Sequence, residues 1–116
     1  MTIRSGQKHT LFDGTNVAST GYSYSNWVST KYDSLTIQAE VATLVASWLA
    51  IRVEGRYDSD SRTASVYAER YTSAHRAAKV ISDVANYGEM RVGVAASPHV
   101  ASPNNIYCSI TLFDIV

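Results

Sequence analysis

Residues 48–57, WLAIRVEGRY, decide the fold class. Leu49, Ile51, Val53 and Tyr57 fall on one parity, and Arg52, Glu54 and Arg56 fall on the other. That is the period of a strand with one face buried and one face wet. The stretch runs into Asp58, Ser59, Asp60, Ser61 and Arg62, a turn composition, and alternation resumes through Ser65, Val66, Tyr67, Ala68 and Glu69. The whole reads as a β-hairpin.

Outward from this hairpin the same period recurs. Leu35, Ile37 and Ala39 alternate with Thr36, Gln38 and Glu40, and Met90, Val92, Val94 and Ala96 form another set. Residues 106–113 close the chain with Ile106, Cys108, Ile110 and Leu112 on one face, after a loop at 97–105 that holds Pro98 and Pro103. Residues 17–32 mix Ser, Thr and Asn with Tyr22, Tyr24, Trp27 and Tyr32, which suits a strand at a sheet edge. Val41, Leu44, Val45, Trp48 and Leu49 also meet helical spacing. A helix ending near Leu49 would cut the 48–57 register, and the flanks are rich in β-branched residues, so strand, turn, strand is expected.

Residues 74–87 admit two readings. Ala74, Ala77, Ala78, Ile81, Val84 and Ala85 make a helical stripe between Ser73 as a cap and Gly88 as a stop. Residues 78–81 as a strand, followed by a tight connection at 83–88, fit equally well. At the other end, Leu11 and Phe12 before Asp13 and Gly14 look like a short strand and turn. The ten residues before them, MTIRSGQKHT, are polar and have little to bury, so 1–10 is expected to be a flexible arm. The expected fold is all-β: an antiparallel β-sandwich or jelly-roll-like domain over 11–116 with at most one short helix.

At 116 residues the chain fits one domain, which at this size buries somewhat over ~60% of its unfolded surface without needing disulfides or metal. Ten acidic and ten basic residues cancel, so the basic face that a nucleic-acid partner requires is not expected. The N-terminus lacks an apolar signal core, and the longest apolar run, 41–51, is broken by Thr43 and Ser47, far short of the ~20 residues of a membrane helix. No membrane partner is expected. Cys108 is the single cysteine, which fits assembly in a reducing cytoplasm, and its place among alternating apolar residues makes it a core side chain. Charged residues are only 17% while tyrosines number eight, a surface that tolerates burial between subunits better than one rich in Lys and Glu.

No catalytic constellation emerges. His9, His75 and His99 sit in separate contexts without metal-ligand spacing. Asp58 and Asp60 invite a calcium reading, but of the sixth-position Gly and twelfth-position Glu of an EF-hand only the second is met, by Glu69, while Thr63 holds the first. No serine lies in a G-x-S-x-G elbow and no Gly-rich phosphate loop is present. Cofactors and metals are therefore not expected, nor is enzymatic activity. Arg52, Glu54 and Arg56 share one strand face and read as a solvated or inter-subunit charge cluster. Tyr22, Tyr24, Trp27 and Tyr32 pair apolar area with polar tips, and with those three charged residues they are the candidate contacts to another subunit or partner. One or two of these aromatics serving as core is the competing reading.

Taken together, Ser25 to Val28, the L-x-I-Q of Leu35, Ile37 and Gln38, the V-E-G-R at 53–56, the Y-x-x-M-R-V at 87–92 and the closing I-x-C-x-I-x-L resemble small β-sandwich virion proteins of tailed bacteriophages. The likeness spans about 11–113; the hairpin after Arg56 lacks the Asp-Gly-x-x-Trp turn such proteins often carry. The resemblance implies a non-enzymatic virion protein assembled in the host cytoplasm. Its expected form is a head decoration or cement protein bridging major capsid subunits, most simply as a homotrimer whose weak contacts are multiplied by symmetry. A neck or tail component, or a receptor-binding sandwich that stacks sugars on Tyr22, Tyr24 and Trp27, is the alternative.

Overall fold

The 48–57 alternation is realised as strand β5 (Trp48–Arg56) in a computed structural model of the chain, which describes residues 3–29, 32–57, 62–82, 84, 87–98 and 101–115. Over these residues the chain forms nine strands and no α-helix. One sheet has the order β1 (Ile3–Asn16), β9 (Asn104–Ile115), β4 (Ser34–Leu44), β7 (His75–Ser82). The other has β2 (Ser23–Tyr24), β8 (Glu89–Ser97), β5 and β6 (Ala64–Tyr71), with β3 (Val28–Ser29) also on β8. Every pairing is antiparallel. The result is a β-sandwich, only 18 Å across its thinnest axis.

The core is built by the parities read from sequence, except at Tyr57, which shares the parity of Val53 but lies past the end of β5 and is 62% exposed. Leu35, Ile37 and Val41 of β4 and Ile106, Cys108, Ile110 and Leu112 of β9 are buried in one layer. Leu49, Ile51 and Val53 of β5 with Met90, Val92 and Val94 of β8 are buried in the other. Each such side chain contributes about 1.5–3 kcal/mol of burial, so these four central strands carry the stability. The β5–β6 hairpin forms as expected, with Leu49 opposite Tyr71 and Val53 opposite Tyr67; Asp58 and Asp60 of its turn lie outside the described residues, as does His99.

Two segments differ from or extend the sequence reading. Residues 3–10, expected as a flexible arm, are part of β1, whose partners run from Ile3 opposite Ile115 to Asn16 opposite Asn105. Register shifts at Ser5/Lys8, Thr10/Phe12 and Asp13/Thr15 break the period of two, so the segment has no alternation to read. Residues 75–82, left open between helix and strand, are the edge strand β7. Only Ile81 of that strand is buried, and an edge strand with so little to bury carries a weak strand signal and a run of alanines that mimics a helix.

The ends of the two layers are tied by a single polar side chain. Asn104 is wholly buried, and its Oδ1 accepts from the backbone N–H groups of Val45 (3.0 Å) and Ala46 (2.8 Å). Its Nδ2 donates to the carbonyls of Val17 (2.9 Å) and Ala101 (2.6 Å). One amide thus satisfies four backbone groups in three separate loops, which removes the desolvation cost of all of them.

Candidate functional site

Along the outer face of β5 stand Arg52, Glu54 and Arg56, and the residues opposite them on β8 are Gly93, Arg91 and Glu89. The two strands carry complementary alternating charges, so each acid meets a base across the ladder. Arg56 Nε lies 3.0 Å from Glu89 Oε1. Arg91 reaches Glu54 Oε1 with both Nε (3.0 Å) and Nη2 (2.9 Å). The other carboxylate oxygen accepts from the Tyr24 hydroxyl at 3.3 Å and pairs with Arg52 Nε at 3.6 Å.

Of the two sequence readings, a solvated or an inter-subunit charge cluster, the first does not hold for Glu54, which is only 4% exposed. The cause is the segment that carries Tyr22, Tyr24 and Trp27, which pairs along the free edge of β8 and brings the Tyr24 ring over Gly93. The Ser25 N–H donates to Val92 O (2.8 Å) and the Ser25 hydroxyl accepts from Val92 N (3.0 Å), pinning the segment between β2 and β3. Gly93 makes room for it, since a Cβ there would fall 2.5 Å from the Tyr24 ring.

The rings and guanidiniums then interleave. Tyr22 and Tyr24 stack with centroids 6.1 Å apart. Arg52 lies over Tyr22 at 5.4 Å, and Arg91 lies 3.7 Å from the Tyr24 centroid and 4.4 Å from that of Trp27. Arg56 covers Trp27 at 4.1 Å. Farther along the same face Arg70 lies over Trp48 at 4.2 Å. Cation–π contacts of this kind stabilise by about 0.5–2 kcal/mol each, more when partly desolvated, so the ladder is a stiff surface rather than a set of free side chains.

Of the seven sequence candidates, Tyr22, Tyr24, Trp27, Arg52, Glu54 and Arg56 are brought together here. Tyr32 is not: its ring lies against Gly6 of β1, on the other sheet. Sequence reasoning missed Arg91 and Glu89, the residues that complete the cluster. Their signal was available, because Glu89, Arg91 and Gly93 alternate out of phase with Met90, Val92 and Val94 and complement the charges of β5.

Cys108 is buried, which pushes its thiol from 9.0 up to about 12. His75 stacks on Tyr71 at 5.4 Å. Among the described residues no group of three or more His, Cys, Asp or Glu could hold a metal ion.

No known family profile matches the chain, and no curated protein matches it in sequence. Solved structures do share its fold. The SPBc2 prophage-derived protein YomS aligns with a TM-score of 0.59 at 10% identity, over 97% of this chain and 96% of its own. The PBSX exported protein XepA aligns with a TM-score of 0.61 at 10% identity over 92% of this chain, which spans 37% of that longer protein. A Bacillus endospore appendage protein, from a family of disulfide-linked pili, gives 0.54 at 12% identity over 92% of this chain and 90% of its own. At such identities the shared property is the sandwich itself.

Proposed function

We propose that the chain is a non-enzymatic structural protein of a tailed-phage virion, and in finer form a capsid decoration or cement protein that bridges major capsid subunits as a homotrimer. The observation that carries the reading is the end-to-end likeness to the prophage-derived YomS, over 97% of one chain and 96% of the other. The geometry of the β5/β8 face supports it. Tyr, Trp and Arg are the residue types enriched in protein interfaces, and here their order is set before any partner arrives. Their charges are already paired within the sheet, so a neighbour can cover Tyr22, Tyr24, Trp27, Arg52 and Arg56 without stranding an ion. The location that follows is the virion, after assembly in the host cytoplasm.

The receptor-binding alternative does not gain from this face. A sugar needs an open ring, and each of Tyr22, Tyr24 and Trp27 already has a guanidinium over it.

Particles assembled without the protein should form but rupture at lower temperature or under osmotic shock, and added protein should restore them. Trp27→Ala and Arg56→Ala protein should restore them less well. Particles that lack the protein yet equal the parent in stability would overturn the cement reading, and loss of host adsorption in their place would favour a receptor-binding role.

A further inference from the structure

The outer face of the four-stranded sheet, opposite the Arg–aromatic ladder, holds a cavity of about 440 Å³. Its shape follows from register. One cross-strand row reads Thr10, Ser109, Gln38 and Ala78 on β1, β9, β4 and β7. The next row reads Asp13, Tyr107, Glu40 and Arg76. Thr10, Ser109 and Ala78 thus make a low floor from which Gln38 rises, beside a wall of Tyr107, Glu40 and Arg76, with Lys8 at the β1 end. Four strands are three interstrand steps of ~4.8 Å, so the floor runs roughly 14 Å across the sheet.

The chemistry of this groove is specific. Its floor offers two hydroxyls and a carboxamide, groups that both donate and accept. Its charges balance, Lys8 and Arg76 against Asp13 and Glu40, and Arg76 already pairs with Glu40 at 3.2 Å. Tyr107 is 45% exposed yet held in place. At Gly14 the backbone bulges with φ +68°, and a Cβ there would lie 3.1 Å from the Tyr107 hydroxyl and 3.3 Å from its ring. Asn105 Nδ2 donates to Gly14 O at 3.1 Å and keeps the bulge in position. The glycine leaves the ring a seat that any other residue would crowd.

We infer that this groove binds a neutral oligosaccharide, with Tyr107 stacking on the apolar face of one sugar ring and Thr10, Gln38 and Ser109 bonding its hydroxyls. An anion would find two carboxylates for its two cations. The apolar side chains that line the cavity are alanines, Cys108 and Phe12, and Phe12 is only 9% exposed, so a lipid or apolar peptide would find little apolar surface to cover. A polyhydroxylated neutral chain matches the hydroxyl and amide floor, the open ring and the cancelled charge, and the volume lies within the range of small-ligand sites. The inference does not rest on the virion reading; it stands or falls on this sheet alone.

The test is a heteronuclear NMR titration of the isotopically labelled full chain with maltohexaose, cellohexaose and N-acetylchitohexaose, each to about 10 mM, a range that reaches the weak affinities of open clefts. At least one should shift the amides of Gln38, Tyr107 and Ser109 in a saturable way. Tyr107→Ala should weaken that binding by about tenfold or more, as loss of roughly 1.4 kcal/mol predicts, whereas Tyr107→Phe should retain most of it. Gln38→Ala, at an exposed position, gives a second variant that should weaken binding without unfolding. Four results would overturn the proposal: no shifts with any of the three sugars, shifts confined to the Trp27 and Trp48 face, saturable shifts of the groove with inorganic phosphate instead, or groove shifts that appear on concentration of the protein alone, which would mark a second copy as the occupant.

Discussion

Glu54 of β5 and Arg91 of β8 stand directly opposite each other in the antiparallel ladder, and Arg91 Nη2 closes to 2.9 Å on Glu54 Oε1. The pair joins the two central strands of its sheet on the face away from the core. It also fixes register, because sliding β8 by two residues would bring Arg91 opposite Arg52 or Arg56. The pair is stable where it is because Tyr24 and Arg52 use the second carboxylate oxygen, leaving no lone charge under the rings.

Glu54→Gln should therefore destabilise the fold by about 2–3 kcal/mol, since the Arg91 guanidinium keeps its covered position and loses its counter-charge. The joint replacement Glu54→Leu with Arg91→Met should cost less than the two single changes added together. Urea denaturation of Glu54→Gln, of the double variant and of its two single variants measures both statements, and strict additivity would refute the coupling.

Gly93→Ala should displace the Tyr24 ring, for the new Cβ would fall 2.5 Å from ring atoms of Tyr24 and 3.1 Å from Tyr22. The expected cost is about 1–3 kcal/mol of overpacking. The accompanying sign is a smaller ring-current shift on the Arg91 side chain, read by NMR. An unshifted Arg91 in a fully stable variant would contradict the geometry.

Asn104→Ala should cost at least ~3 kcal/mol, because four backbone groups lose their partner inside the protein. Asn104→Asp keeps the acceptor toward Val45 and Ala46 but offers two carbonyls a carboxylate, so it should be no milder. Thermal melts of the two variants against the parent give the comparison.

Stability should fall on the alkaline side. Burial raises the Cys108 thiol from 9.0 to about 12, and burial with a hydrogen bond to Glu69 raises the Tyr67 phenol from 10.0 to about 12. Both groups are neutral when protonated, and the unfolded chain releases these protons first. Their contribution is thus complete below about pH 9 and is lost as pH rises through about 12. Cys108→Ser should be a mild change of roughly 1–3 kcal/mol at pH 7 and should flatten the decline that begins near pH 9. Iodoacetamide at pH 8 should label Cys108 only in denaturant; rapid labelling of the native protein would place the thiol outside the core.

Alternation in the chain was enough to establish the class of fold and the inward face of its central strands. Leu35, Ile37, Leu49, Ile51, Val53, Met90, Val92, Val94, Ile106, Ile110 and Leu112 were legible because a half-buried strand must repeat every two residues, and each of these is buried. The sequence also marked Tyr22, Tyr24, Trp27, Arg52, Glu54 and Arg56 as special. Alternation says which residues share a face of one strand, but not which strand lies beside it. Strand neighbours came from the fold alone: that β8 pairs with β5, that Arg91 and Glu89 answer the charges of β5, and that the Tyr32 ring lies against Gly6 of β1. The same holds for residues 3–10, whose bulges erase the period, and for 75–82, whose edge position removes the burial that would have produced it. The groove beside Tyr107 exists only as rows across four strands, a relation among residues up to about a hundred positions apart that no local pattern encodes.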